Sequence, residues 1–197
     1  MNQNEVISKR LAEAYYHAEL SPDPSNQNGA VIYRDATEGA TRMSVGHNQF
    51  YRGIIPDVED RDNKLARIAH AEYDAVVKLS ACPIAVNFHT AMYCPWAACR
   101  LCAMTIIGSG IKTLVVHRQR QDTYAATRAG QKRSDGSDVL PCWQPDIDEA
   151  MQNLKRASVN LVIFDGRVEH YDGEGINLNG RRWCPRRLEF RRLRNTA

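Results

Sequence analysis

Residues 90–116 read TAMYCPWAACRLCAMTIIGSGIKTLVV. The stretch AVNFHTAMYC at 85–94 has the character of a strand. Residues 99–109 have the spacing of a helix ended by Gly108 or Gly110, and KTLVVH at 112–117 is a second strand. Strand, helix, strand in so short a span is a crossover that lays the two strands parallel in one sheet. The same stretch carries chemistry. Cys99 and Cys102 stand three apart at the head of the helix, so both sulfurs lie on one face and can reach one ion. The helix N-terminus favours thiolates, because its free N–H groups and dipole stabilise negative charge.

Working upstream, RIAHAEYDAVVKLS at 67–80 predicts a helix over 70–80 that begins at His70. Helices that flank adjacent parallel strands can bring their N-termini to one edge of the sheet, which makes His70 the candidate third ligand. One His and two Cys leave zinc an open position, the arrangement of a catalytic site, where bound water has a pKa of roughly 7. Glu72, two residues past His70, is placed to move protons without being a ligand. A structural zinc site with Cys94 as fourth ligand is the competing reading. A second His-Ala-Glu, His17 to Glu19, has no cysteine pair behind it and reads as an accidental match on a surface helix.

The remaining elements fall on either side. Residues 5–19 predict a helix with Val6, Ile7, Leu11, Ala14 and Tyr15 on one side. SPDPSNQNG at 21–29 is a loop, and AVIYR and MSVGHN are strands about a turn at Asp35–Gly39. Residues 50–66 look polar and irregular, and 118–141 look like an inserted loop. A helix over 146–158 with an acidic start precedes a strand, VNLVIFDG, at 159–166. This order predicts a layered α/β domain over 1–170 with a mixed sheet of about five strands. An Arg-rich extension over 171–197 follows.

Composition narrows the function classes. The chain has 197 residues, 43% of them hydrophobic, enough for one globular domain. No apolar run approaches the ~18 residues of a membrane span, and the first residues lack a signal-peptide core. An intracellular, cytoplasmic protein is expected, in which the six cysteines point to metal or catalysis rather than disulfides. The net charge is +3, yet residues 181–197 hold seven Arg and one Glu, so the rest of the chain is net negative. Such an end suits phosphates or nucleic acid, or is a solvated face.

His and Glu two apart with Cys-x-x-Cys is the known pattern of zinc-dependent base deaminases, and the chain resembles the cytidine and deoxycytidylate deaminase superfamily, its deoxycytidylate branch most of all. The resemblance runs over about 5–166. It is carried by HAE at 70–72, CRLCA at 99–103 with MTIIGSGIKTLVV after it, SPDPSNQNGAVI at 21–32, GHNQFYRG at 46–53 and WQPDIDEAMQNLKRASVNLVIF at 143–164. It implies a three-layer α/β/α cytidine-deaminase-like fold. It also implies a zinc hydrolase of a cyclic amidine C–N bond, converting a cytosine nucleotide, dCMP or a 5-substituted dCMP, to the uracil nucleotide and ammonia. Zinc would be held by His70, Cys99 and Cys102, with Glu72 as the catalytic acid and base.

For substrate contacts the resemblance implies Asn48 on the sugar, where the alternative is a turn residue; Arg52 suits a phosphate or is solvated, and Asn28, in place of an apolar residue near the base pocket, reads a base edge or only satisfies its loop. Backbone groups around Ala71 and Ala97 would meet the reacting edge. His117 would either line the pocket or pack in the core. A homo-oligomer and a nucleoside triphosphate effector are expected as partners. Some positions depart from the family pattern: Ala98 stands for Pro, Asp74 for Asn, Asn28 for Val, and Gln49 and Tyr51 for Gly and Pro. Two other readings stay open: a deaminase of bases in single-stranded nucleic acid or tRNA, served by the Arg-rich end, and a non-catalytic zinc module.

Overall fold

Helix α1 (Gln3–Glu19) starts at a capping box, in which the Asn2 side chain accepts the Glu5 N–H at 3.0 Å and the Glu5 carboxylate accepts the Asn2 N–H at 3.1 Å. The apolar side expected from the sequence is buried, Val6, Ile7, Leu11, Ala14 and Tyr15 included. The computed structural model describes residues 2–34, 39–80, 89–121 and 144–185. Most of the expected turn at Asp35–Gly39, the start of the strand at 85–94 and most of the expected loop at 118–141 fall outside these residues. Residues 118–121 are helical.

Strands β1 (Gly29–Arg34) and β2 (Thr41–His47) pair antiparallel, and β1 also pairs antiparallel with β3 (Thr90–Tyr93). From β3 onward the pairing is parallel, to β4 (Thr113–His117) and then to β5 (Asn160–Phe164). The order β2–β1–β3–β4–β5 gives the mixed five-stranded sheet predicted from the alternation of elements. Its two faces bury alternate residues, as strand geometry requires. Val31, Ala91, Tyr93 and Val115 pack with α1. Ala30, Ile32, Met92, Leu114 and Val116 pack with helices α3 (Ala71–Ser80), α4 (Arg100–Gly108) and α5 (Gln144–Arg156). Three layers result, helix on both faces of the sheet.

A helix and a two-stranded hairpin lie where no element is expected. Helix α2 (Arg61–Leu65) falls in the stretch read as irregular, and is started by Asp60, whose carboxylate accepts the N–H groups of Asp62 and Asn63. Five residues are too few to show a period. Strands β6 (Ile176–Leu178) and β7 (Arg181–Trp183) form an antiparallel hairpin inside the stretch read as an extension. Tyr171, Ile176, Leu178 and Trp183 belong to the same core as α1, so packing continues past residue 170. Asn26 bridges to Leu178, and the Gln27 N–H donates to the Asn177 carbonyl at 2.9 Å, so the hairpin is fastened to the loop at 21–28.

One close approach sets where α3 begins. A Cβ on Gly46 would collide with the Ala71 carbonyl and the Ala75 N–H, so only glycine lets the first turn of α3 sit against β2. Gly108, at the end of α4, has nothing within 4 Å of the Cβ position. Gly46→Ala is therefore expected to lower stability by about 1–3 kcal/mol through overpacking. Gly108→Ala should be neutral or stabilising by up to about 1 kcal/mol. Denaturant unfolding of the two variants checks the contrast, and equal effects would remove the case for a tight β2–α3 contact.

Candidate active site

The start of α4 is built so that Cys99 is free for chemistry. Cys99 occupies the N-cap with extended backbone, but its side chain caps nothing. The Arg100 N–H is taken instead by Asp146 Oδ2 at 2.9 Å, from the acidic first turn of α5. Cys102 lies one turn on, buried. The start of α3 is fixed from a distance. The Ala71 N–H donates to Asn48 Oδ1 at 2.9 Å, and Asn48 Nδ2 donates to the Asn26 carbonyl at 2.7 Å. With both helix starts held, His70 Nδ1 lies 3.5 Å from Cys99 Sγ and 3.5 Å from Cys102 Sγ.

Among the described residues, His70, Cys99 and Cys102 form a group whose donor atoms all lie within 4.8 Å of one another. The spacing fits zinc. Bonds of about 2.0 Å to nitrogen and 2.3 Å to sulfur at a tetrahedral angle put N and S about 3.5 Å apart. Cys94 is not in the group. It receives a hydrogen bond from Asn28 Nδ2 at 3.2 Å, and burial raises its thiol well above the usual range.

Without metal the trio shares its protons unevenly. The Cys102 hydrogen bond brings Cys99 down to about 4, against burial and with help from His70. Cys102 is raised by its bond to Cys99 and by burial. Burial pulls His70 down, but the Cys99 sulfur and the Glu72 charge overcome it and hold the imidazole at about 9. A metal needs the thiolates and the neutral imidazole, so its binding competes with protons at this group.

Glu72 is 2% exposed, and its Oε2 is buried with no hydrogen-bond partner. Burial pushes its carboxyl up to about 7, although His70 pulls the other way. A carboxyl poised there can both accept and donate a proton near neutral pH.

The sequence of residues 1–118 matches the family model described as the cytidine and deoxycytidylate deaminase zinc-binding region. The chain belongs to the cytidine and deoxycytidylate deaminase family. Zinc is the family's metal, and His70, Cys99 and Cys102 are the residues here that fit it. A search of the curated proteins gives no match. Among solved structures, the deaminase is similar to dCMP deaminase from the cyanophage S-TIM5 in apo form, at TM-score 0.53 and 14% identity over 81% of this chain and 97% of that one. The same phage enzyme in complex with dCMP and dUMP gives TM-score 0.54 and 16% identity over 77% and 90%. The Aspergillus oryzae Rib2 deaminase in complex with DARIPP gives 0.50 and 16% over 82% and 85%. At these identities the likeness is one of fold.

The other expected residues are placed as follows. Asn48 and Asn28 are buried, and the Asn48 N–H donates to the Asn28 carbonyl at 3.0 Å. Ala71 and Ala97 are buried, with the Ala71 N–H given to Asn48. Arg52 is exposed. His117 is fully buried among residues of the α1 side. Its Nδ1 pairs with the Tyr15 hydroxyl at 2.8 Å and its Nε2 with the Gly166 carbonyl at 3.1 Å, so both ring nitrogens are used. Burial brings it down to about 4, and it stays neutral.

Glu19 is more than a surface residue: it accepts from the Tyr171 hydroxyl and from the Gly175 N–H, tying α1 to the segment before β6. Asp74 is fully buried, accepting from the His47 N–H at 3.1 Å, from Gln49 Nε2, from the Tyr51 hydroxyl and from Lys78 Nζ. It thus holds the 47–51 loop. Sequence reasoning missed Asp23 and Lys64, a buried ion pair at 2.8 Å in which Asp23 also accepts the Ser25 and Asn26 N–H groups. The turn chemistry of SPDPS marks Asp23; nothing in the sequence marks Lys64.

One zinc per chain is expected, lost in Cys102→Ala and kept in Cys94→Ala. Metal analysis of the purified variants checks this, and a Cys102→Ala protein that keeps full zinc would overturn the ligand set.

Proposed function

We propose that the protein catalyses zinc-dependent hydrolytic deamination of a free cytosine nucleotide, dCMP or a 5-substituted dCMP, yielding the uracil nucleotide and ammonia. The observation that carries the reaction type is Glu72: a buried carboxyl with an unpaired oxygen, two residues from the metal-fitting His70. When bound, zinc supplies a Lewis acid with an open position at which water gives up a proton near neutral pH. Glu72 would take that proton and pass it to ring N3 as oxygen adds to C4, then take the remaining proton of the added hydroxyl and deliver it to the amino group as the C4–N bond breaks, leaving the C4 carbonyl, N3–H and ammonia. The polar frame around Asn48 keeps the α3 start, and hence Glu72, fixed relative to the reacting carbon.

The choice of substrate is supported by the resemblance of residues 21–53 to the deoxycytidylate branch, and by the phage enzyme of this fold having been solved with dCMP and dUMP. The exposed Arg52, on the same loop as Asn48, suits a phosphate.

Glu72→Ala is expected to fold and keep zinc while turnover falls by ~10²–10⁴-fold or more. Glu19→Ala, which removes a structural acceptor, should lower stability by about 1–3 kcal/mol and leave kcat near that of the parent. Ammonia release, zinc content and thermal unfolding on the same preparations separate the two, and an active Glu72→Ala enzyme would sink the mechanism.

Screening nucleosides, mono- and triphosphates and a single-stranded oligonucleotide for ammonia release tests the substrate. dCMP should be turned over with a shallow salt dependence, because few phosphates are neutralised, whereas a polynucleotide substrate would show a steep one. Arg52→Ala should raise KM for the monophosphate and leave the nucleoside nearly unchanged. Turnover of the oligonucleotide with none of dCMP or its 5-substituted analogues would replace this reading by the nucleic-acid one.

A further inference from the structure

Asn28 immediately precedes β1 and is 4% exposed. Three of its polar atoms matter. The carbonyl accepts the Asn48 N–H at 3.0 Å, and Asn48 in turn caps the Ala71 N–H, between His70 and Glu72. The side-chain Nδ2 donates to Cys94 Sγ at 3.2 Å, which fixes the plane of the amide. Its Oδ1 is buried and has no hydrogen-bond partner. In the same frame, Asn26 Oδ1 and Glu72 Oε2 are also buried without a partner, and of the three only the Asn28 amide is held by a side-chain hydrogen bond through its nitrogen. Asn28 is joined to the start of α3 through Asn48, whose N–H it accepts and whose Oδ1 accepts the Ala71 N–H next to Glu72. Native folds leave few buried acceptors unpaired, because each forfeits its hydrogen bonds to water. An acceptor held in a fixed plane, on the loop that fixes the start of α3 and with it Glu72, is therefore suited to a donor that arrives with a ligand.

We propose that Asn28 is a specificity-determining residue whose Oδ1 accepts a hydrogen bond from the amino group that the reaction removes. The proposal rests on the deaminase reading above and names what that reading leaves open, how the site tells substrate from product. The unprotonated amino-pyrimidine ring carries its only N–H donors on that amino group. Hydrolysis replaces it with a carbonyl oxygen, an acceptor, which would face Asn28 Oδ1 lone pair to lone pair. The same contact that holds the substrate thus disfavours the product, and discrimination comes from a buried polar group left unpaired or opposed in the wrong complex.

The test measures dissociation constants of dCMP and dUMP for the zinc-loaded Glu72→Ala protein, which binds without turning over. The comparison is with the same protein carrying Asn28→Leu or Asn28→Asp. Asn28→Leu keeps the volume and removes the acceptor; it is expected to weaken dCMP by about tenfold and to leave dUMP unchanged or tighter. Asn28→Asp keeps an oxygen at Oδ1 and should preserve most of the dCMP preference, which also covers the case in which the leucine variant does not fold. Equal weakening of both nucleotides, the result of a sugar contact or of pocket shape alone, overturns the proposal, as does no change in either.

If the parent enzyme does not release ammonia from dCMP, the substrate reading fails by itself. The affinities are then compared for the amino-heterocycle it does deaminate and the matching product. A parent that deaminates none of the screened bases overturns both.

Discussion

The hydrogen bond from the Ala71 N–H to Asn48 Oδ1 is the constraint on which the site depends. A helix leaves its first N–H groups without internal partners, and α3 meets that need from a loop 23 residues upstream rather than from its own N-cap. Because the donor lies between His70 and Glu72, the metal ligand and the proton carrier inherit the position of the β2–α2 loop. That loop is itself tied down. Asp74 reaches back from α3 to the His47 N–H, and Asn48 reaches across to the Asn26 carbonyl. Helix and loop hold each other, and the close approach at Gly46 allows it.

A second consequence is that the polar groups near the metal are divided by task. Asn48, Asp74, Asp23 and Lys64 have their hydrogen bonds met within the protein and give rigidity. Glu72 and Asn28 each keep one buried oxygen unmet. A site that paired every group would be more stable and would have nothing to offer a substrate; the unmet Glu72 and Asn28 oxygens belong to the frame that positions the zinc-fitting residues.

The sequence already displays the parts of the fold whose period is long enough to read. The α1 stripe, the βαβ unit over 90–116 and the α5–β5 pair are visible because each repeats a spacing over at least two turns or several strand residues. The zinc set is legible for a chemical reason: Cys-x-x-Cys at a helix start and a histidine at another helix start have few other uses. What escapes is either short or non-local. Helix α2 and the β6–β7 hairpin have too few residues to carry a pattern. Glu19 looks like a solvated copy of Glu72 because its partners, Tyr171 and Gly175, lie more than 150 positions away. His117 and Lys64 are understood only once their partners are in place. Asn48 reads as a sugar ligand by resemblance, while its capping of α3 has no local signal.

The β6–β7 hairpin separates two kinds of support. All three zinc-fitting side chains come from residues 70–102, and the hydrogen bonds that hold their helix starts come from Asn48 and Asp146, not from the hairpin. The loop at 21–28, which carries Asn28, is backed differently. It shares backbone partners with Asn177, Leu178 and Gly180. A chain cut before residue 176 would therefore lose the backing of that loop while keeping every group that fits the metal.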